Sequence, residues 1–88
     1  MNNLATTHNI EPVATVKKII RLKRVIELTG LSRSTIYDRI NPKSKRYDTS
    51  FPKSIKLGTS HLNTGAVGWI ESEVQEWIQQ RIQASQSA

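Results

Sequence analysis

The sequence LKRVIELTGLSRSTIYDRI, residues 22–40, decides the fold of this 88-residue chain. Apolar residues recur every three or four positions on both sides of Gly30, which is the spacing of a buried helix face. Gly30 predicts the end of the first helix, because glycine readily adopts the left-handed conformation that ends many helices. Ser32 is a favourable N-cap for the second helix. The stretch therefore predicts a helix-turn-helix.

The second helix is predicted over residues 32–41. Ile36 and Ile40 are four positions apart, so both should face the core. Pro42 ends the helix, since proline cannot donate a backbone hydrogen bond and disfavours helical geometry in the residue before it. An ordinary helical hairpin would explain the turn and the apolar spacing equally well. It would not explain why the outward face of this helix is so polar.

The rest of the chain predicts a β-hairpin and a third helix. Residues 41–50 have the composition of a basic, irregular loop. Ile19, Ile20 and Leu22 form a short apolar run that fits a brief strand or a lead-in to the first helix. Alternating residues at 54–57 and an apolar run at 66–70 predict two strands that flank a polar loop. The fold class is therefore mainly α with a small β-hairpin, an α+β arrangement.

A third helix is predicted from Ser72, which with Gln75 forms a capping box. It carries four apolar residues on one face: Val74, Trp77, Ile78 and Ile82. Three further residues are expected to pack in the core rather than to contact a ligand: Phe51, Ile55 and Trp69. The whole domain is predicted over residues 17–83, between a flexible tail at residues 1–16 and a frayed end at residues 84–88.

Positive charge is concentrated in the middle of the chain. The net charge is +6, and twelve of the thirteen basic residues lie in residues 17–56 beside three of the seven acidic ones. From Leu57 onward acidic residues outnumber basic ones. This separation indicates one face that meets a polyanion. The total charge alone fits a basic, solvated surface equally well.

Other classes of function have little support. The chain has no cysteine, which excludes disulfides and thiolate metal sites. His8 and His61 are far apart and lack a carboxylate cluster, and there is no phosphate-binding glycine loop. No apolar run is long enough to span a bilayer, and no signal peptide is evident. We expect a cytoplasmic protein with no metal, cofactor, small-molecule substrate or enzymatic activity.

Three segments together resemble AlpA-type prophage regulators and phage excisionases: IIRLKRVIELTGLSRSTIYDRI at residues 19–40, FPKSIKLG at 51–58 and AVGWIESEVQEWIQQRI at 66–82. The resemblance implies a winged, MerR-like helix-turn-helix with double-stranded DNA as its partner. It implies two roles, excisionase (recombination directionality factor) and transcriptional regulator of an integrase gene. An integrase and further copies of the chain bound cooperatively on DNA are the other implied partners.

Two features depart from that family. The loop at residues 41–50 is longer than the usual link, and the wing, residues 54–70, lacks the arginine that relatives commonly place just before the last strand. The residues nearest that position are Asn63, Thr64 and Gly65. Lys56 or His61 is expected to take over the wing contact.

The second helix is expected to lie in the major groove, which admits one α-helix. Its candidate DNA contacts are Arg33, Ser34, Thr35, Tyr37, Asp38 and Arg39. Arg33 could reach a guanine edge or a phosphate, and Asp38 could accept from cytosine or orient Arg33 or Arg39. Simpler roles are packing for Tyr37 and a solvated charge for Arg39.

Further candidates would bind phosphates: Lys23 and Arg24 on the first helix, Lys43, Lys45 and Arg46 in the loop, and Lys56 and His61 in the wing. For these residues solubility is the alternative explanation. A different class of function stays open, a module whose helix-turn-helix surface binds a partner protein. The exposed Asp38 and the wing without arginine favour that class, whereas the basic middle segment argues against it.

Overall fold

A computed structural model describes residues 16–58 and 65–87. The elements are β1 (Ile19–Ile20), α1 (Leu22–Thr29), α2 (Arg33–Ile40), β2 (Ile55–Lys56), β3 (Val67–Ile70) and α3 (Glu71–Ser87). The α+β class is thereby confirmed. Most of the predicted tail, the tip of the predicted wing at residues 59–64, and His61 within it lie outside the described residues.

The turn between α1 and α2 forms as the local sequence predicts. Gly30 has a φ of 74°, and its N–H donates to the carbonyl of Ile26 at 2.8 Å. The Ser32 hydroxyl accepts from the N–H of Thr35 at 3.2 Å and caps α2. These contacts stabilise backbone groups that both helices would otherwise leave unsatisfied at the turn.

The sheet has three strands in the order β1-β3-β2, and β3 pairs antiparallel with both neighbours. Ile20 lies opposite Trp69, and Lys56 lies opposite Val67. The apolar run before α1 is therefore a strand that extends the predicted hairpin. Gly68 lies buried in the central strand, where a Cβ would be only 2.6 Å from Cγ2 of Ile19.

The core lies between the helices and the sheet. Its buried residues are Ile20, Val25, Ile36, Phe51, Trp69, Val74 and Trp77. Phe51 and Trp77 meet edge to face, with ring centroids 4.9 Å apart, a favourable geometry for aromatic pairs. The expectation that Phe51 and both tryptophans belong to the core is confirmed. Ile55 is only half-buried, because it lies on an edge strand with a single neighbour.

α3 begins one residue before the predicted start and continues through Ser87. Residues 84–87 are therefore helical, contrary to the fraying expected there. At 17 residues the helix is about 25 Å long, and its residues from 79 to 87 are all exposed. Ile82, predicted on the buried face, is 44% exposed. Among the described residues, no helix is long and apolar enough to cross a membrane.

Candidate nucleic-acid interface

The first turns of α2 present the exposed residues predicted to read DNA. Arg33, Ser34 and Tyr37 are exposed. The guanidinium carbon of Arg33 lies 5.8 Å from the centroid of the Tyr37 ring. This cation–π contact supports the guanidinium beside the ring on the outer surface of the helix. Tyr37 is therefore a surface residue rather than part of the core.

Thr35 is tied more closely to the fold than its neighbours. Its N–H and its hydroxyl both bond to the Ser32 hydroxyl, and the two hydroxyl oxygens are 2.8 Å apart. Thr35 is half-buried. Ser34, whose hydroxyl lies 3.4 Å from that of Ser32, is fully at the surface. The Ser32 hydroxyl thus contacts both predicted hydroxyl residues, closely at Thr35 and at 3.4 Å at Ser34, and only Ser34 is fully exposed.

Asp38 has a different partner from those expected. Its carboxylate lies 4.0 Å from Nη1 of Arg46 in the following loop, rather than against Arg33 or Arg39. Both side chains are exposed, so the pair contributes little to stability. It does place a positive charge next to the carboxylate, which reduces the repulsion of a phosphate by Asp38.

The Arg39 side chain packs against the protein rather than extending into solvent beside the exposed face of α2. Its Nη1 lies 3.3 Å from Oδ2 of Asp48, and its guanidinium carbon lies 5.8 Å from the Trp77 ring centroid. Both members of the ion pair are half-buried. Because these contacts hold its guanidinium, Arg39 is not the solvated charge expected as its simpler role. It connects α2 to the loop and to α3.

Asp48 is the acceptor around which the end of the loop is organised. Its Oδ1 accepts from the hydroxyl and the backbone N–H of Ser50, at 2.6 and 2.9 Å. The Ser50 hydroxyl bond is the main reason that the pKa of Asp48 lies below its usual value. Arg39 lowers this pKa further, while partial burial opposes the shift. The structure therefore favours the charged carboxylate.

The loop at residues 41–50 is a series of hydrogen-bonded turns, not the irregular segment expected. Oδ1 of Asn41 accepts from the N–H of Lys43 at 3.0 Å, and the Ser44 hydroxyl accepts from the N–H of Arg46 at 3.1 Å. Asparagine and serine make such local bonds readily, which is why they favour turns. Lys43, Lys45 and Arg46 are exposed on this ordered frame.

The remaining predicted cations have different surroundings. Arg24 is exposed, but its Nη1 lies 3.2 Å from Glu27, so part of its charge is compensated. Lys56 is exposed on the edge strand β2. Lys23, in the first turn of α1, lines the same open groove as Arg33 and Tyr37.

Arg21 also lines this groove, and sequence reasoning missed it. Its Nε donates to the carbonyl of Val67 at 2.9 Å. Its position in the basic segment directly before the first helix could have indicated a role in binding. Only the sheet register, however, shows that its side chain points toward the hairpin. Elsewhere among the described residues, no three histidine, cysteine or acidic side chains gather as a metal ion would require.

Comparison with known proteins decides the family. The model of the family described as prophage CP4-57 regulatory protein (AlpA) matches residues 18–82. The chain belongs to the AlpA family. The resemblance drawn from the sequence is thereby confirmed. The AlpA match spans every described strand, both helices of the turn motif and most of α3.

Two curated proteins are similar to the chain. The chain is 53% identical over 64 residues to the DNA-binding transcriptional activator AlpA of Escherichia coli strain K12, an alignment that covers 73% of this chain and 84% of that protein. It is also 37% identical over 71 residues to the uncharacterized protein ORF88 of Enterobacteria phage P4. That alignment covers 81% of this chain and 68% of that protein. No solved structure matches the chain significantly.

Proposed function

We propose that this AlpA-family protein is a transcriptional regulator of a prophage or genomic island that binds double-stranded DNA. The observation that carries the proposal is one open groove lined by both Arg33, from the first turn of α2, and Lys23, from the first turn of α1. A recognition helix reads bases mainly with its N-terminal residues, while the preceding helix crosses the phosphate backbone. The two cations have the positions that this division of roles requires.

In this complex the fold acts as a winged helix-turn-helix. α2 lies in the major groove, where Arg33 and Ser34 meet base edges and Tyr37 directs its hydroxyl to a phosphate. Lys43, Lys45 and Arg46 bind phosphates from the loop, and Lys56 on the edge strand of the hairpin binds the adjacent backbone, with His61 as a further candidate. Arg39 holds the helix and loop together and makes no base contact.

The name of the 53% identical relative, a DNA-binding transcriptional activator, supports this function. The competing function, a surface that binds a partner protein, depended partly on Asp38 on the exposed face of the helix. That support is weaker in the folded protein, because Arg46 lies beside the carboxylate. The exposed cations of α1, α2 and the loop favour DNA as the partner.

Binding to a duplex of arbitrary sequence, measured across salt concentrations, tests the general proposal. Each phosphate neutralised by the protein should contribute about −0.9 to the slope of log affinity against log salt. The cations of α1, α2, the loop and the hairpin together should therefore produce a steep slope. Negligible affinity at low salt would exclude DNA binding and leave a partner protein as the target.

The biological role is tested by mapping bound sites in the native host with crosslinking and pull-down. Peaks at promoters, including that of an integrase gene, are expected for a transcriptional regulator. Clusters beside an attachment site would instead assign the excisionase role, with the integrase as a partner and several copies of the chain bound cooperatively. Both patterns in one map would mean that the protein performs both roles.

A further inference from the structure

Arg21 lies where α1, α2 and the hairpin meet. It occupies the N-cap position of α1, and the hydrogen bond from its Nε reaches Val67, the first residue of β3, 46 residues further along the chain. Because this bond uses Nε, the guanidinium keeps its four Nη–H donors. The side chain is exposed, and the described residues provide those donors with no other acceptor. The hairpin therefore fixes the direction of a guanidinium whose Nη donors have no acceptor among the described residues.

The groove around Arg21 has the character of an anion site. It is open, has a volume of about 440 Å³, and is lined by Arg21, Lys23 and Arg33 together with Tyr37. None of the described residues that line it is acidic. α1 has no acidic residue in its first turn and no side-chain cap, so the positive end of the helix dipole adds to the potential there.

The loop of the hairpin does not supply this charge. Residues 57–66 contain no lysine or arginine. The only fixed positive charge bonded to the start of β3 among the described residues is Arg21, which lies 46 residues earlier in the chain. A guanidinium offers paired donors that match two phosphate oxygens, which a lysine ammonium does not.

We propose that Arg21 binds a DNA backbone phosphate in this groove and supplies the cationic contact at the base of the hairpin. The proposal rests on the DNA binding proposed above and adds a contact to it. Arg21 joins Lys23 on one stretch of backbone at the edge of the major groove, beside the base edges that Arg33 reads. The Val67 carbonyl positions Arg21, so strand pairing in the hairpin and phosphate binding are linked through one side chain.

The test compares wild-type protein, Arg21→Gln and the control Arg81→Gln on a 20-base-pair duplex of arbitrary sequence. Both variants lose one positive charge. Arg81 is the control because it lies on the exposed second half of α3 and does not line the groove. Arg21→Gln should make the slope of log affinity against log salt concentration less steep by about 0.9, the contribution of one phosphate contact. Its loss of affinity relative to wild type should therefore shrink about 3.5-fold between 50 and 200 mM salt. Arg81→Gln should bind with the same slope of log affinity against log salt concentration as the wild-type protein.

The outcomes separate this proposal from the more general one. If wild-type protein binds with a steep slope and Arg21→Gln keeps that slope, DNA binding stands and the Arg21 contact is wrong. Equal losses of slope in the two variants would also overturn the contact, because they would reflect net charge alone. If wild-type protein does not bind the duplex, the general function fails and the Arg21 contact fails with it.

A measurement on the wild-type protein covers the case in which Arg21→Gln does not fold. With ¹⁵N-labelled arginine, the side-chain signals of Arg21 are assigned by their absence in Arg21→Lys. Addition of the duplex should shift the Nη signals of Arg21 and leave those of Arg81 in place. Unchanged Arg21 signals in a saturated complex would overturn the proposal.

Discussion

The guanidinium of Arg39 and the carboxylate of Asp48 lie 3.3 Å apart and join the proposed recognition helix to the loop that follows it. The pair is half-buried, and Trp77 of α3 packs against its arginine at 5.8 Å. The backbone strengthens the link, because the N–H of Asp48 donates to the carbonyl of Arg39 at 2.9 Å. The angle at which the loop presents its cations therefore depends on this contact.

Asp48→Ala should lower the free energy of unfolding by about 1–3 kcal/mol, because it removes hydrogen bonds to a charged acceptor and leaves Arg39 half-buried without its ion pair. Urea denaturation at neutral pH measures the change. Asp38→Ala is the matched control: its exposed pair with Arg46 should contribute less than about 1 kcal/mol. Equal losses in the two variants would contradict the structural difference between the pairs.

The same carboxylate should make stability depend on pH. Its pKa in the folded state lies below the usual value of 3.8, because the Ser50 hydroxyl and Arg39 favour the charged form. The unfolded chain therefore takes up a proton first as the pH falls, so Asp48 stabilises the fold above its usual pKa and loses this effect as the pH drops through the folded value. The difference in unfolding free energy between wild type and Asp48→Asn should be constant at neutral pH and shrink below about pH 4. A difference independent of pH down to about pH 2 would contradict the lowered pKa.

Gly68→Ala should destabilise the sheet by about 1–3 kcal/mol, the usual range for overpacking. The new Cβ would lie 2.6 Å from Cγ2 of Ile19 and 3.1 Å from the carbonyl oxygen of Ile20. Ile19→Ala removes the closer obstacle and, since Ile19 is exposed, should cost little alone. The double variant should therefore be more stable than the sum of the single changes predicts. Strict additivity in urea denaturation would argue against the pairing of β1 with β3.

Two apolar residues of α3 should respond differently to truncation. Val74 is completely buried, whereas Ile82 is 44% exposed. Val74→Ala should reduce the unfolding free energy by about 2 kcal/mol through lost burial and a residual cavity. Ile82→Ala should change it by no more than about 0.5 kcal/mol, because alanine is also a better helix former. A large loss at Ile82 in thermal and urea unfolding would show that its side of α3 is covered in solution.

Two cations of the proposed interface should affect DNA binding in different ways. Arg33→Ala should relax the preference at one base pair by about 1–3 kcal/mol, because Arg33 lies in the first turn of the recognition helix. Lys45→Ala should weaken binding to cognate and unrelated duplexes alike. It should also make the slope of log affinity against log salt concentration less steep by about 0.9. Titrations with the cognate site and single-base variants distinguish the two. Equal losses on cognate and random DNA for both proteins would contradict this division of roles.

Local features of the chain were predictable because their causes lie within a few residues. Gly30 and Ser32 place the end of one helix and the start of the next through bonds spanning three or four positions. The burial of Ile36 and Trp77 follows from the period of apolar residues along their helices. The AlpA family was recognisable for the same reason, since its signature consists of contiguous segments.

Contacts between distant segments were decided only by the tertiary structure. Nothing near Arg39 reveals that Asp48 and Trp77 will draw its side chain inward, and a two-residue strand at Ile19 is too short to show an alternating pattern. Arg21 reaches the hairpin only because β1 pairs with β3 and brings Val67 beside it. Helix periodicity and capping are local, so the sequence predicted which helices form and most of the residues they bury, with Ile82 as an exception. The partners of the charged side chains depend on strand register and helix packing, which bring together residues far apart in the chain.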